Sequence, residues 1–505
     1  MRIMFYRLVA VILPLTLLEI LCREHVIKPL ILPPPSRILL GLWAVIANGA
    51  FNAAIVKTLA NVGLAIVLAV VVGIAAGAAI HRSQPLRALL EPLFSTYYAI
   101  PIYAFYPLFI VVFGLGDTPQ VLIGFMLAVV SMIVSTLAGL DSVPAVLGKT
   151  ARVMQLGAVE TVRSVTMPYA APYLFTGVKL AIAYAFIGVI GAEFIMSGTG
   201  LGYEIRFAYD NLDNDVMYPL ILLILLIAVA VNLSLDHWDR AQVAAGARIM
   251  MRRIVYAHPA LFFVVTLLVL WQIVYWLVGP NALLPPVETV VYLARLLQTA
   301  RFWGHISETG TAFVVALAIS VVAGLATGLA LGMNRTMTEV FEPFLLAGNS
   351  IPKIALYPIV LLIFGIGMPA KIAFGAIHGV VPVAIFTLAA CNNVPPILLR
   401  AASTMQLTRW DMIRSVLLPA ALPDIFSGIR IGFSLTLIGT ILGEMFGSQR
   451  GLGYLLMTAI GLHNVQVIMS VTLLLVLVAA TANTLLLQQD RRLRNPGGTS
   501  FQKPD

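Results

Sequence analysis

Apolar residues run along this chain in long unbroken stretches, separated by a few polar or charged positions. The runs do not alternate with a period of two, so they do not read as strands of a barrel. In lipid the backbone must satisfy its own hydrogen bonds, which leaves helices. About 20 such residues cross a bilayer. On that spacing the pattern predicts helices near residues 5–22, 54–80, 88–113, 119–140, 170–196 and 216–235. A second group follows near 257–278, 309–332, 340–365, 369–390, 421–446 and 465–488. The expected fold class is all-α, a polytopic membrane protein with about twelve transmembrane helices. The opening stretch MRIMFYRLVAVILPLTLLEILC has the outline of a secretory signal ending at Cys22. Glu19, Ile20 and Leu21 stand where a processing site needs small side chains, so it reads as a retained first helix.

The two groups of six are one sequence written twice. Pro34-Pro35 and Pro285-Pro286 lie 251 positions apart (285 − 34). The same shift carries Thr58 onto Thr309, Gly73 and Gly77 onto Gly324 and Gly328, and Glu91-Pro92 onto Glu342-Pro343. It also carries Pro101 onto Pro352, Tyr106-Pro107 onto Tyr357-Pro358, Glu193 onto Glu444, and Gly200-Leu201-Gly202-Tyr203 onto Gly451-Leu452-Gly453-Tyr454. Shared Leu or Val arises easily between apolar segments; shared Pro, Glu and Gly at one ungapped shift does not. The chain is a tandem duplication. An even number of helices per half inserts both halves in the same direction, a parallel repeat. The expected division is a first repeat over 1–240, a linker over 241–256, a second repeat over 257–494 and a tail over 495–505.

Composition excludes several function classes. Of 505 residues 60% are hydrophobic and 10% charged, against roughly 25% charged in a soluble domain. The net charge of +9 sits in short segments between apolar runs, with no separate basic domain, so no nucleic-acid partner is expected. Arg82, Arg87, Lys149, Arg152, Arg163, Arg240, Arg335, Arg400, Arg414 and Arg491 fall on one set of loops; Glu204, Asp210, Asp213 and Asp215 fall on the other. The positive-inside rule makes the first set cytoplasmic, together with both termini. The expected location is the inner membrane. Cys22 and Cys391 then lie on opposite faces and form no disulfide, and no Cys/His cluster suggests a metal. Gly148-Lys149-Thr150 has the ending of a P-loop, but Val143 stands at its leading position and no strand precedes it. No catalytic set and no cofactor is expected in this chain.

Two segments, 141–169 and 392–420, interrupt the short loops. Each holds a Pro, a short amphipathic helix, a second amphipathic turn and then a Pro leading into the next span. Such an element lies on a membrane surface or docks into a groove of a partner. These segments resemble the coupling-helix loop of ABC importer permeases, whose pattern is E-A-A, a Gly four residues after the last Ala, then I-x-L-P. Ala151 and Ala402 match the last Ala, and Pro168 and Pro419 the final Pro; Lys149 and Arg400 replace the Glu, and Gln155 and Gln406 the Gly. The run E-P-x(8)-P-x(4)-Y-P-x(5)-F-G-x-G and the later G-L-G-Y are similar to the nitrate/sulfonate/taurine branch.

The resemblance implies a type I importer permease fold with both pore halves fused. It also implies two cytoplasmic ATP-binding subunits that carry the ATP and Mg, and an extracytoplasmic substrate-binding protein. The coupling residues would be Ala151, Arg152, Met154, Gln155 and Leu156, with Ala402, Ser403, Met405, Gln406 and Leu407. Tyr97, Tyr98, Pro101, Asn349, Ser350, Pro352 and Lys353 are candidates for the translocation pathway, since proline in a membrane helix frees carbonyls beside a cavity. Lys353 would attract an anion, snorkel to the inner interface or pair with a neighbouring acid. Glu193 and Glu444 are either carboxylates bonded to the glycine-rich turn or a periplasmic gate. A twelve-helix secondary carrier would also show a parallel duplication; the duplicated segments favour the ATP-driven permease.

Overall fold

The Pro-Pro pairs that mark the repeat are places where a helix begins. In the computed structural model, which describes residues 2–97, 102–242, 259–279 and 283–494, Pro35 and Pro286 each open an amphipathic helix. Proline suits a first turn, where its missing N–H costs nothing and its φ is already helical. Among the described residues every regular element is helical.

The first half comprises α1 (Arg2–Arg23), α2 (Pro35–Asn48), α3 (Asn52–Arg82), α4 (Gln84–Tyr97), α5 (Tyr106–Phe113), α6 (Asp117–Asp141), α7 (Ala145–Val153), α8 (Ala158–Thr161), α9 (Met167–Met196), α10 (Leu201–Asp210) and α11 (Asn214–Gln242). The second repeats them as α12 (Pro259–Val278), α13 (Pro286–Leu296), α14 (Ala300–Gly332), α15 (Arg335–Ser350), α16 (Tyr357–Phe364), α17 (Met368–Asn392), α18 (Pro396–Thr404), α19 (Arg409–Met412), α20 (Leu418–Gly447), α21 (Leu452–Gly461) and α22 (Val465–Arg494). From α5 to α10 every boundary reappears at the same shift of 251, for example 357 − 106. The expected linker at 241–256, apart from its first two residues, and the tail at 495–505 lie outside the described residues.

Among the described residues nine helices are long and apolar enough to cross a membrane. The third span of each half departs from the expected single continuous helix, bent at its proline. Over 340–365 the chain runs as α15, then a 3-10 turn at Lys353–Leu356, then α16, with a bend of 91°. Ile351 takes extended angles, φ −72° and ψ 133°, as the residue before a proline must when Pro Cδ crowds its helical conformation. The first half has the same 3-10 turn at Ile102–Phe105, followed by α5. The helices α2, α10 and their copies also replace stretches expected as loops.

Each half is built on three packed helices, α3 with α6 and α9, and α14 with α17 and α20. Glycine permits the closeness. A Cβ on Gly324 would stand 2.6 Å from Val383 Cβ, and one on Gly73 would stand 2.6 Å from Met132 Cβ. The halves exchange their first helices: α1 lies against α15, where Arg7 Nη2 donates to Glu339 O at 2.7 Å, and α12 lies against α4. At the centre Phe194 meets Phe446 edge-on at 5.1 Å, and the turn at 353–356 packs on α9 of the opposite half.

Substituting Gly324→Val forces overlap with α17 and should cost about 1–3 kcal/mol, read as a lower thermal midpoint in detergent. Gly63→Ala meets nothing within 4 Å and should instead gain about 0.5–1 kcal/mol.

Candidate functional site

At the basic end of each half the chain turns through an elbow. Pro144 sets off α7, and the helix stops at Gln155, which stands at φ +53°. Leu156 N–H donates to Ala151 O at 3.0 Å and Gln155 N–H to Arg152 O at 3.1 Å, the Schellman pair that closes a helix C-terminus. Gln406 repeats this at φ +51°, with Leu407 N–H on Ala402 O at 3.3 Å. A left-handed residue with a Cβ costs about 1–2 kcal/mol, so the glycine of the family pattern meets a backbone requirement that this chain meets with glutamine. Past the turn come α8, a five-residue π-helical turn at Val162–Thr166, and α9; the second half copies it at Ile413–Leu417.

Exposure sorts the predicted coupling residues. Val153 is 84% exposed and Met154 65%; Met405 is 71% exposed. Arg152, Gln155 and Gln406 are also exposed, while Leu156 and Leu407 are half-buried. Ala151 and Ala402 are each only 2% exposed. They lie beneath the exposed side chains of the elbow. Their small side chains let the elbow helix seat on its own chain; α7 packs on the π-turn. Ser403 lies in α18. Val146, Val153 and Ile397 were missed, although apolar side chains on the polar face of an amphipathic helix were the available signal.

At the opposite end a buried carboxylate closes each half. Glu193 accepts Thr58 Oγ1 at 2.9 Å and Gly202 N–H at 3.0 Å, and Thr58 Oγ1 in turn accepts Leu201 N–H at 2.8 Å. Glu444 holds Thr309 Oγ1 at 2.8 Å and Gly453 N–H at 3.0 Å, while Leu452 N–H reaches Thr309 Oγ1 at 2.8 Å. Carboxylate and hydroxyl thus cap the free N–H groups of α10 and α21, placing negative charge at their positive ends. Gly200, at φ +103°, would drive a Cβ into the Glu193 carboxyl, which accounts for the first glycine of G-L-G-Y.

Around these caps the halves differ. Lys57 pairs with Asp117 at 2.7 Å in the first half. In the second the polarity is reversed: Glu308 replaces Lys57, and fully buried Lys371 on α17 pairs with it at 2.8 Å and lies 3.7 Å from Glu444.

The predicted pathway residues divide. Tyr97 is half-buried, its hydroxyl donating to Met126 O at 2.8 Å. Tyr98 and Pro101 lie outside the described residues. Asn349 is exposed, Ser350 ends α15, and Pro352 and Lys353 are buried at the bend. Lys353 Nζ donates to Asn349 O at 3.5 Å, and among the described residues no carboxylate pairs with it.

Residues 69–244 and 320–495 each match the family of binding-protein-dependent transport system inner membrane components, and the two matches are themselves 251 apart (320 − 69). The chain belongs to this family. It is similar to the taurine transport system permease protein TauC of Escherichia coli, 29% identical over 36% of this chain and 68% of that protein. A probable ABC transporter permease protein of Haemophilus influenzae is 31% identical over 43% of this chain and 89% of its own length. The riboflavin transport system permease protein RibX of Chloroflexus aurantiacus is 30% identical over 45% and 86%. Each relative is mostly covered by less than half of this chain, as a fused pair requires. The protein is a multi-pass inner-membrane permease subunit of an ATP-driven importer, not an enzyme and not an ion-driven carrier. Its family works with ATP-hydrolysing and substrate-binding partners.

Thr309→Val removes two bonds and leaves Leu452 N–H and Glu444 short of a partner, so it should cost about 1–3 kcal/mol in thermal denaturation. Gln155→Gly removes left-handed strain and should stabilise the elbow by about 1 kcal/mol, seen as slower exchange of the Leu156 amide.

Proposed function

We propose that the two elbows dock a pair of ATP-hydrolysing subunits, one on each half, at the cytoplasmic face where both termini lie. The observation that carries this reading is the exposure of Val153, Met154, Met405 and Ile397 on helices at the basic end, in two registered copies. Apolar side chains displayed beyond the spans suit an interaction surface, and the basic residues around it support a cytoplasmic side. Arg152, Gln155 and Gln406 border the apolar contacts and fix their register.

The third spans, with Asn349, Ser350, Pro352 and Lys353 at the break in the second half and Tyr97, Tyr98 and Pro101 at the corresponding positions of the first, form the pathway. Backbone that leaves the helix at membrane depth is tolerated where it lines a cavity, and the 91° bend at Pro352 supplies it. A buried Lys353, with no carboxylate beside it among the described residues, suits a small anionic or polar solute. Relatives are named for taurine, riboflavin and nitrate transport, so the binding protein outside the membrane makes the selection. Glu193 and Glu444, by capping α10 and α21, serve as a periplasmic gate that keeps its shape.

The test is affinity purification of the tagged chain from native membranes, with mass spectrometry and an ATP hydrolysis assay. An ATP-binding subunit should accompany the chain and be lost when Met154, Leu156, Met405 and Leu407 are all changed to Asp. Retention of that subunit by the four-fold variant would show that docking lies elsewhere.

A further inference from the structure

The basic ends of the two halves differ at a cluster that duplication alone would have left identical. In the first half Arg87, on α4, is 8% exposed. Its guanidinium holds Asp141, the last residue of α6, by two bonds: Nη1 to Oδ1 at 2.8 Å and Nη2 to Oδ2 at 2.6 Å. Nε reaches Glu91 Oε2 at 3.3 Å, and His81 Nδ1 stands 3.2 Å from Asp141 Oδ1. Shifted by 251, Arg87, Asp141 and His81 become Thr338, Asn392 and Gly332. Glu91 keeps a counterpart in Glu342, but the arginine and the aspartate of the fork are both gone. Thr338 Oγ1 donates to Leu331 O at 2.8 Å, close by in its own chain, and Asn392 is exposed. Gly332 instead lets α17 close in, since a Cβ on it would stand 2.7 Å from Cys391 Cβ. Cys391 belongs to an apolar cluster with Val394, Leu417, Ala421 and Ile425, which ties the second elbow to α20.

The geometry points to Arg87 as a positioning residue of the transport cycle, one that fastens the start of the first elbow to α4 so that the two move together. This rests on the elbows being the docking sites of the ATP-hydrolysing subunits. Asp141 ends α6 where the chain leaves for the elbow, and α4 precedes the 3-10 turn of the third span. A two-bond fork between planar groups fixes orientation as well as distance, so a displacement of the elbow turns α4 instead of sliding past it. Apolar packing of the kind found in the second half resists separation but allows sliding. The two halves therefore answer one nucleotide event differently, the first through α4 and the second through α20.

The experiment uses the full chain with its co-purified ATP-hydrolysing subunits, after replacing Cys22 and Cys391 by alanine. Spin labels are placed on cysteines at exposed Gln84 and Lys149, and separately at their exposed counterparts Arg335 and Arg400. Pulsed electron–electron resonance is recorded without nucleotide and with MgATP plus vanadate. The first-half pair should keep one distance in both states, while the second-half pair shifts. Arg87→Gln should make the first-half pair shift with nucleotide, and Arg87→Asp combined with Asp141→Arg should restore the single distance. Arg87→Lys, which keeps the charge but loses the fork, should restore it only in part. A purely structural role would lower the thermal midpoint without making the distance depend on nucleotide. A first-half distance that stays fixed in Arg87→Gln, with the subunits still bound, overturns this inference alone. Nucleotide that moves neither pair in the chain carrying Arg87 overturns the docking reading and this inference with it.

Discussion

Backbone polar groups inside a bilayer have no water to bond, and each one left alone there costs several kcal/mol. Every place where this chain stops being a regular helix near the membrane is therefore a place where something else has to bond. After α9 and α20 the something is Glu193 and Glu444, each fully buried. A carboxylate accepts more than one donor, and here it joins a threonine on the second long helix to the first free N–H groups of the following short one. Three elements of each half thus meet on one side chain. An intramembrane carboxylate is costly in isolation, and it is tolerated because hydroxyl, amide and helix-end dipole all point at it.

The same requirement explains where the two halves were free to diverge. Main-chain geometry repeats to the residue from α5 to α10, because each turn is fixed by a Pro, a Gly or a capped N–H that both copies need. Side-chain pairs tolerate exchange as long as the charge is balanced. Lys57 with Asp117 and Glu308 with Lys371 join the same two helices with opposite polarity. In a dimer of identical chains such a change would appear on both sides at once. Fusion allows one half to change by itself, and the outer pairs and the Arg87–Asp141 fork are where it did so.

The sequence was most legible where a residue type has a single backbone use. Pro35 and Pro286 begin helices, Gly200 and Gly451 take positive φ, and the constant shift carries one half onto the other. Other features were hidden for physical reasons. A proline in an apolar run signals either a kink or a complete break, and only neighbouring packing decides, so 340–365 read as one span although it bends by 91°. The helices α2 and α13 are too short to span, and a search for spans passes over them despite Pro34-Pro35 and Gly49. Gln155 gives no sign of its left-handed backbone, since glutamine has no preference for it. The burial of Ala151 and Ala402 was likewise hidden, since alanine is as common on an exposed helix face as on a packed one.

The elbow and the buried carboxylate lie at the two ends of one rod. Residues 158–195 form a single apolar span of 38 residues through α8, the π-turn and α9, which at 1.5 Å per residue is about 57 Å long. Its basic end carries the seat of α7, and its other end carries Glu193 and the cap of α10. A hydrogen-bonded helix of that length passes on a displacement with little bending, because curvature lengthens its bonds. The π-turn and Pro172, which lies inside α9, are the exceptions: each relaxes the i→i−4 bonding, so the rod is re-aimed there without ending the helix. A displacement at one end of this span is then carried to the other along its backbone bonds.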